Sequence, residues 1–115
     1  MQEKITLILE NDEEVELVLS FKKLALLKKV KNDLYQKYNS IMTTQKKEID
    51  MFEMPFILYI AYWCANYSVG KEIYHEDEFL ELVPYDFKLI KRIFNQLTTS
   101  KKNRNLEKNL SEKQA

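Results

Sequence analysis

The single histidine and the single cysteine are the residues of this chain with the most chemical potential. His75 precedes the acidic run Glu76-Asp77-Glu78, and carboxylate oxygens are ligands of the kind that calcium prefers. The run lacks the glycine and the alternating spacing of a calcium loop, and no second histidine is present to complete a transition-metal site. We therefore interpret it as the start of a helix, where acidic side chains stabilise the positive end of the helix dipole.

Cys64 lies in the uncharged stretch Phe56–Ala65. A thiol in apolar surroundings stays protonated and unreactive, so we expect a packed cysteine rather than a nucleophile. A lone cysteine excludes an internal disulfide and favours the reducing cytosol. The aromatic side chains in and beside this stretch would form either a stacking platform for a ring-shaped ligand or an aromatic core, and the core is the favoured interpretation. They are Tyr59, Tyr62, Trp63 and Tyr67.

The composition argues against several classes of function. Lys+Arg and Asp+Glu both number 18, so the chain lacks the basic excess of a dedicated binder of nucleic acid or anionic membranes. One glycine in the whole chain excludes phosphate-binding loops built on several glycines. The uncharged stretch is shorter than the roughly 20 residues that span a bilayer. We expect no enzyme activity, no cofactor or metal, and no nucleic-acid or membrane partner.

The N-terminal region predicts a β-hairpin. Apolar and polar residues alternate over Lys4–Leu9 and again over Glu14–Ser20, which is typical of strands with one buried face. Asn11-Asp12 between them favours a turn, because both residues tolerate a left-handed backbone and can hydrogen-bond to their own chain. Ile8 and Val18 interrupt the polar face, either as scattered surface residues or as a contact with a partner. Unpaired backbone groups at the hairpin edge favour self-association.

Apolar periodicity and capping residues predict four helices after the hairpin. They are an amphipathic helix from Phe21 to about Tyr38, a central helix from Asp50 or Glu53 to about Tyr67, a short helix after His75 that ends at Pro84, and an amphipathic helix from Asp86 to about Thr98. Asn39–Lys47 is predicted to be a loop. Residues 1–99 are thus one α+β domain, mainly α, and residues 100–115 a charged, disordered tail.

One core is expected to join the hairpin and the helices around the central helix, because a helix that is apolar on all sides must be surrounded by other elements. Its predicted members are Phe21, Leu24, Leu27, Phe56, Leu58, Ile60, Trp63, Phe79, Ile90 and Phe94.

The order of these elements resembles the tail assembly chaperones of long-tailed phages and prophages of Gram-positive bacteria. The resemblance rests on the strand-to-helix junction Val18-Leu19-Ser20-Phe21 with Leu24, on Leu58–Ala65 in the central helix, and on Phe79-Leu80-Glu81-Leu82 followed by Ile90–Leu97. It covers roughly residues 4–97 and consists of hydrophobic patterns.

The resemblance implies a non-enzymatic protein of the host cytoplasm, absent from the mature virion, that binds and shields the tape-measure protein while the tail tube assembles. It implies many copies on one partner, hence a homo-oligomer. It also implies a frameshifted, longer product whose extension recruits the tail-tube protein. Lys101-Lys102-Asn103 is compatible with an A-rich slippery sequence in the coding DNA.

Two other classes of function stay open. One is another small phage interaction protein, such as a head–tail connector component or a DNA-binding modulator. Lys88, Lys91 and Arg92 are the candidate residues for a partner or for DNA phosphates, as Ile8 and Val18 are for self-association. The other is a small hydrolase or an accessory subunit, which requires a polar pocket that no residue spacing indicates.

Overall fold

The computed structural model describes residues 5–43 and 49–99, and in these ranges a two-stranded hairpin is followed by five helices. The elements are β1 (Ile5–Ile8), β2 (Glu14–Leu17), α1 (Phe21–Val30), α2 (Asn32–Thr43), α3 (Met54–Asn66), α4 (Glu76–Leu82) and α5 (Phe87–Thr98). The predicted class, α+β and mainly α, is confirmed. The predicted tail (100–115) and the last four residues of the predicted loop (44–47) lie outside the described residues.

The hairpin forms because its turn residues accept an unusual backbone and its apolar side chains share one face. Asp12 has a φ of +68°, and its N–H donates to the Leu9 carbonyl at 2.9 Å. The Asn11 carboxamide oxygen accepts a hydrogen bond from the Glu13 N–H at 3.1 Å, which completes the predicted turn. The strands pair antiparallel with Leu7 opposite Val15, and both of these side chains are buried.

α3 is the centre of the fold, as its lack of charge predicts. Pro55 lies in its first turn, where the missing N–H has no helical partner. Every side chain from Phe56 to Cys64 is buried, because β2, α1, α2, α4 and α5 all contact this helix. None of the helices in the described ranges is both long and apolar enough to cross a membrane.

The first amphipathic segment forms two helices, so the predicted single helix from Phe21 to Tyr38 is wrong. The Lys31 N–H donates to the Leu27 carbonyl at 2.7 Å, and Lys31 then leaves helical geometry with φ −134° and ψ 69°. The next residues, Asn32 and Asp33, favour helix starts over helix interiors. Both α1 and α2 contact α3.

The predicted loop Asn39–Lys47 is also wrong over its first five residues, because α2 continues to Thr43. Ile41 and Met42 are half-buried against the core. This packing stabilises the last turn of α2, which the polar residues around them do not indicate in the sequence. Earlier in α2, the Lys37 ammonium lies 3.3 Å from a Glu76 carboxylate oxygen and 4.3 Å from the centre of the Phe56 ring.

Most of the predicted core is buried, with two exceptions. Leu24 is half-buried, and Phe21 is 94% exposed, so its assignment to the core is wrong. Phe21 is the first residue of α1, directly after the cap in which the Ser20 hydroxyl accepts a hydrogen bond from the Lys23 N–H at 3.3 Å. The buried face of α1 centres on Leu27, about 1.7 turns further on, so the two side chains leave the helix on different sides.

Candidate protein-binding groove

The acidic run after His75 forms the first turn of α4, as predicted. The Glu78 carboxylate accepts a hydrogen bond from the His75 N–H at 3.0 Å, and the His75 carbonyl accepts one from the Phe79 N–H at 2.9 Å. Glu78, the third residue of α4, therefore caps the start of the helix. Within the described residues, no group of three or more His, Cys, Asp or Glu side chains has the geometry to hold a metal ion.

Cys64 and Trp63 are packing residues. Cys64 is fully buried, and burial raises the pKa of its thiol to about 12, so the thiol is protonated at neutral pH. Trp63 is 2% exposed and stacks on Tyr67, with the ring centres 4.3 Å apart and the planes 11° apart. The aromatic-core interpretation is confirmed, and a ligand ring has no access to Trp63.

Three tyrosines fix the irregular connection between α3 and α4. The Tyr59 hydroxyl donates to the Tyr74 carbonyl at 2.9 Å, and the Tyr62 hydroxyl accepts from the Tyr74 N–H at 3.0 Å. The Tyr74 hydroxyl donates to the Glu13 carboxylate at 2.5 Å, and this hydrogen bond raises the pKa of Tyr74. These tyrosines tie the connection to the hairpin turn, which is a structural role.

Three exposed aromatic side chains surround an apolar groove between the start of α3 and the α4–α5 connection. We call it the aromatic groove; its volume is about 260 Å³. It is lined by Met51, Phe52, Pro55, Leu80, Val83, Pro84, Tyr85, Phe87 and Ile90. Phe52 is 81% exposed, Tyr85 86% and Phe87 46%. Exposed aromatic rings beside one another are unusual on a folded surface and mark interaction sites.

The wall that carries Phe52 is built by a turn ahead of α3. An Asp50 carboxylate oxygen accepts a hydrogen bond from the Phe52 N–H at 2.7 Å, and the Asp50 carbonyl accepts one from the Glu53 N–H at 2.9 Å. In return, a Glu53 carboxylate oxygen accepts one from the Asp50 N–H at 3.3 Å. These reciprocal bonds fix the backbone that carries the Phe52 ring.

The opposite wall is fixed by the cap of α5. The Asp86 carboxylate accepts a hydrogen bond from the Leu89 N–H at 3.1 Å, and the Asp86 N–H donates to the Pro84 carbonyl at 2.9 Å. Tyr85, between the proline and the cap, cannot join either helix and projects into solvent. The Asp86 cap also sets the direction of Phe87, the first residue of α5.

The exposed rings contact one another across the groove. Phe52 and Phe87 meet edge to face, with ring centres 6.4 Å apart and planes at 83°. Tyr85 and Phe87 lie 5.1 Å apart at 49°. Both are favourable aromatic geometries. The rings support each other in an open arrangement, and the groove is formed before a partner arrives.

A second hollow of about 420 Å³ continues from the aromatic groove along α5, and Met51 lines both. Its lining is more polar and includes Lys91, one of the basic residues that the sequence singles out. Lys88, Lys91 and Arg92 are all exposed, and their spacing places them on adjacent turns of α5. The structure therefore places these three candidates on one face of α5, where Lys91 lines the second hollow.

The other two candidates, Ile8 and Val18, are not brought together. Ile8 is 58% exposed and lies opposite Glu14, near the turn of the hairpin. Val18 is half-buried beyond the end of β2, and its N–H donates to the Ala61 carbonyl at 3.1 Å. They lie at opposite ends of the hairpin and belong to different surfaces.

Sequence reasoning did not identify Phe52, Tyr85 and Phe87 as an exposed cluster. A signal was present, since Phe52 lies in a turn held by Asp50, and Tyr85 and Phe87 adjoin the Asp86 cap of α5. Large aromatic side chains at such positions lie outside the regular periodicity that buries a helix face.

Comparison with protein-family models, with curated proteins and with solved structures gives no match to this chain.

Proposed function

We propose that this protein is a binding protein that shields an apolar helical segment of another chain, and that it acts as a tail assembly chaperone for a phage tape-measure protein. The observation that carries the proposal is the aromatic groove, with Phe52 and Tyr85 each more than four-fifths exposed. The resemblance in the order of elements suggests the partner. A tape-measure protein is a long, largely helical chain whose apolar faces need cover until the tail tube surrounds it.

The shape of the surface fits an amphipathic helix. Helices bind apolar grooves through side chains three or four residues apart, which project from one face. The aromatic groove and the second hollow follow one another along α5 and share Met51, so one helix laid along α5 reaches both. Lys88, Lys91 and Arg92 at its side suit a helix whose flanking residues are acidic.

The contacts among the aromatic rings favour binding, because they reduce the side-chain freedom that is lost when a partner binds. The shallow, open groove also suits a chaperone that must release its partner. We further propose that several copies line one tape-measure chain in the host cytoplasm. A frameshifted product that extends this chain would bring in the tail-tube protein.

Co-expression with the tape-measure protein tests the proposal. We expect the tape-measure protein to be insoluble alone, and soluble and co-purified when it is made with this chain. The double substitution Phe52→Ser and Tyr85→Ser removes the two most exposed rings of the groove and changes no buried side chain. It should abolish solubilisation and co-purification. Phe21→Ser is the matched control, since Phe21 is equally exposed but lies on α1, and it should behave as the unmodified chain.

The proposal fails in two ways that the experiment separates. A tape-measure protein that stays insoluble beside the unmodified chain would contradict the chaperone function. Solubilisation that survives the double substitution would place the binding surface elsewhere on the molecule. Circular dichroism of each variant shows that the fold is intact.

The second candidate function is a DNA-binding modulator, which the exposed cluster Lys88, Lys91 and Arg92 favours. Contacts to phosphates release counterions, so binding to duplex DNA should weaken steeply as salt rises. Fluorescence anisotropy of labelled duplex DNA at low and at physiological salt tests this function. Equal, negligible binding at both would exclude it.

A further inference from the structure

β1 is an edge strand with backbone groups that point away from its partner strand. The Leu9 N–H donates to the Glu13 carbonyl at 2.9 Å, which fixes the alternation of the ladder, because hydrogen-bonded pairs recur at every second residue of an antiparallel pair. The backbone N–H and C=O groups of Leu7 point toward β2, and those of Thr6 and Ile8 point away from it. Among the described residues, no hydrogen bond reaches these four groups.

Two other backbone N–H groups that point outward from the hairpin are hydrogen-bonded to helices of the same chain. The Glu10 N–H, next in line on the same edge, donates to the Leu82 carbonyl at the end of α4, at 2.7 Å. On the opposite edge of the hairpin, the Val18 N–H donates to the Ala61 carbonyl in α3, at 3.1 Å. On the β1 edge, the opening among the described residues is therefore confined to Thr6 and Ile8.

We propose that this edge pairs with the same edge of a second copy, antiparallel about a two-fold axis at Leu7, so that two hairpins form one four-stranded sheet. In this register Thr6 lies opposite Ile8 of the partner subunit, and Ile8 lies opposite Thr6 of the partner subunit. All outward N–H and C=O groups of the two residues are then satisfied by both copies. Pairing Ile8 with Ile8 would instead set Thr6 against Glu10, whose N–H is already bound to Leu82.

The side chains of Thr6 and Ile8 favour a second copy of this chain as the partner of the β1 edge. Thr6 and Ile8 are uncharged, so no like charges oppose one another across the two-fold axis. The acidic residues of the outer face, Glu14 and Glu16, lie on β2, one strand away from the junction. Ile8, at 58% exposed, would be partly covered by Thr6 of the partner subunit. The dimer does not depend on the proposed chaperone function.

Cysteine cross-linking tests the register. Thr6→Cys and Ile8→Cys are made as separate variants, mixed at equal concentration and oxidised mildly. Residues opposite one another in a ladder lie within disulfide reach, so the mixture should form several-fold more covalent dimer than either variant alone. The native Cys64 does not compete because it is fully buried. Equal cross-linking in all three samples, or none, would overturn the proposed pairing.

Sedimentation across the micromolar to millimolar range tests the edge itself. The unmodified chain should dimerise as its concentration rises. Ile8→Pro removes an N–H that the hairpin does not use, which edge strands tolerate, and the variant should remain monomeric. Glu14→Pro is the matched control on β2 and should dimerise like the unmodified chain. An unmodified chain that stays monomeric, or a folded Ile8→Pro variant that dimerises normally, would overturn the proposal.

Discussion

Single aromatic side chains connect the hairpin, α3 and α4 into one core. Phe79 of α4 is fully buried, with its ring centre 5.0 Å from that of Tyr62 and 5.5 Å from that of Tyr59. The stack of Trp63 on Tyr67 lies near the end of α3. Tyrosine is tolerated in this core because the Tyr59 and Tyr62 hydroxyls reach the backbone of the connection. The same rings thus supply apolar contact and hydrogen bonds.

Trp63→Ala should destabilise the fold strongly. The substitution leaves a cavity in a packed core, and its cost is roughly 3–5 kcal/mol in free energy of unfolding. Phe21→Ala is the matched control at an exposed aromatic position and should change stability by no more than about 0.5 kcal/mol. Urea denaturation followed by circular dichroism measures both. A small loss for Trp63→Ala would show that Trp63 does not fill the core.

Alkaline pH should destabilise the protein through Cys64. Burial raises the pKa of the folded-state thiol from its ordinary 9.0 to about 12. The contribution of the neutral thiol is complete below the unfolded-state pKa and is lost as pH rises toward the folded-state value. The urea midpoint should fall from about pH 9 upward, and Cys64→Ala should flatten that fall. Some decline should remain, because burial also raises the pKa of Tyr59 to about 12.

At the scale of elements, the connection between α3 and α4 is held by side chains rather than by regular structure. It turns at Gly70, whose φ of +83° favours glycine, and the Lys71 N–H donates to the Ser68 carbonyl at 3.1 Å. The Tyr74 backbone is then bound on both sides by the Tyr59 and Tyr62 hydroxyls. The position of α4, and with it one wall of the aromatic groove, depends on these bonds.

Tyr62→Phe should loosen this connection. The substitution leaves the part-buried Tyr74 N–H without its acceptor, at a cost of about 1–3 kcal/mol. Tyr35→Phe is the control, because the Tyr35 hydroxyl makes no hydrogen bond within the described part of the chain. Amide hydrogen exchange should show faster exchange at Tyr74 in the Tyr62 variant alone. Unchanged protection there would mean that packing, without the hydroxyl, holds the connection.

The elements that sequence patterns predicted well are those with a local cause. The Asp12 turn, the Asp86 cap and the uncharged α3 each follow from a few neighbouring residues. The break at Lys31 was missed because the apolar spacing on its two sides is compatible with one continuous helix. The aromatic groove was missed for a related reason. It joins residues from two turns that are distant in sequence, and only the packing of α4 and α5 on α3 brings them together.

At the scale of the whole molecule, the described residues account for a complete core. The hairpin, α1, α2, α4 and α5 all surround α3, and α5 buries Ile90, Ile93, Phe94 and Leu97. The helix ends at Thr98, whose hydroxyl donates back to the Phe94 carbonyl at 2.9 Å. The Thr99 N–H donates to the Asn95 carbonyl, also at 2.9 Å. These hydrogen bonds pair carbonyl groups in the last turn of α5 with donors from Thr98 and from the capping residue Thr99.

Truncation after Thr99 should therefore leave the fold unchanged. We expect the melting temperature and the near-ultraviolet circular dichroism of the truncated chain to match those of the full chain, because every buried side chain described above is retained. Truncation after Asn95 is the control. It removes Leu97, which is 6% exposed, together with the last turn of α5, and it should lower the melting temperature by several degrees. A comparable loss after the Thr99 truncation would show that residues 100–115 contribute to the core, and would contradict a domain boundary at residue 99.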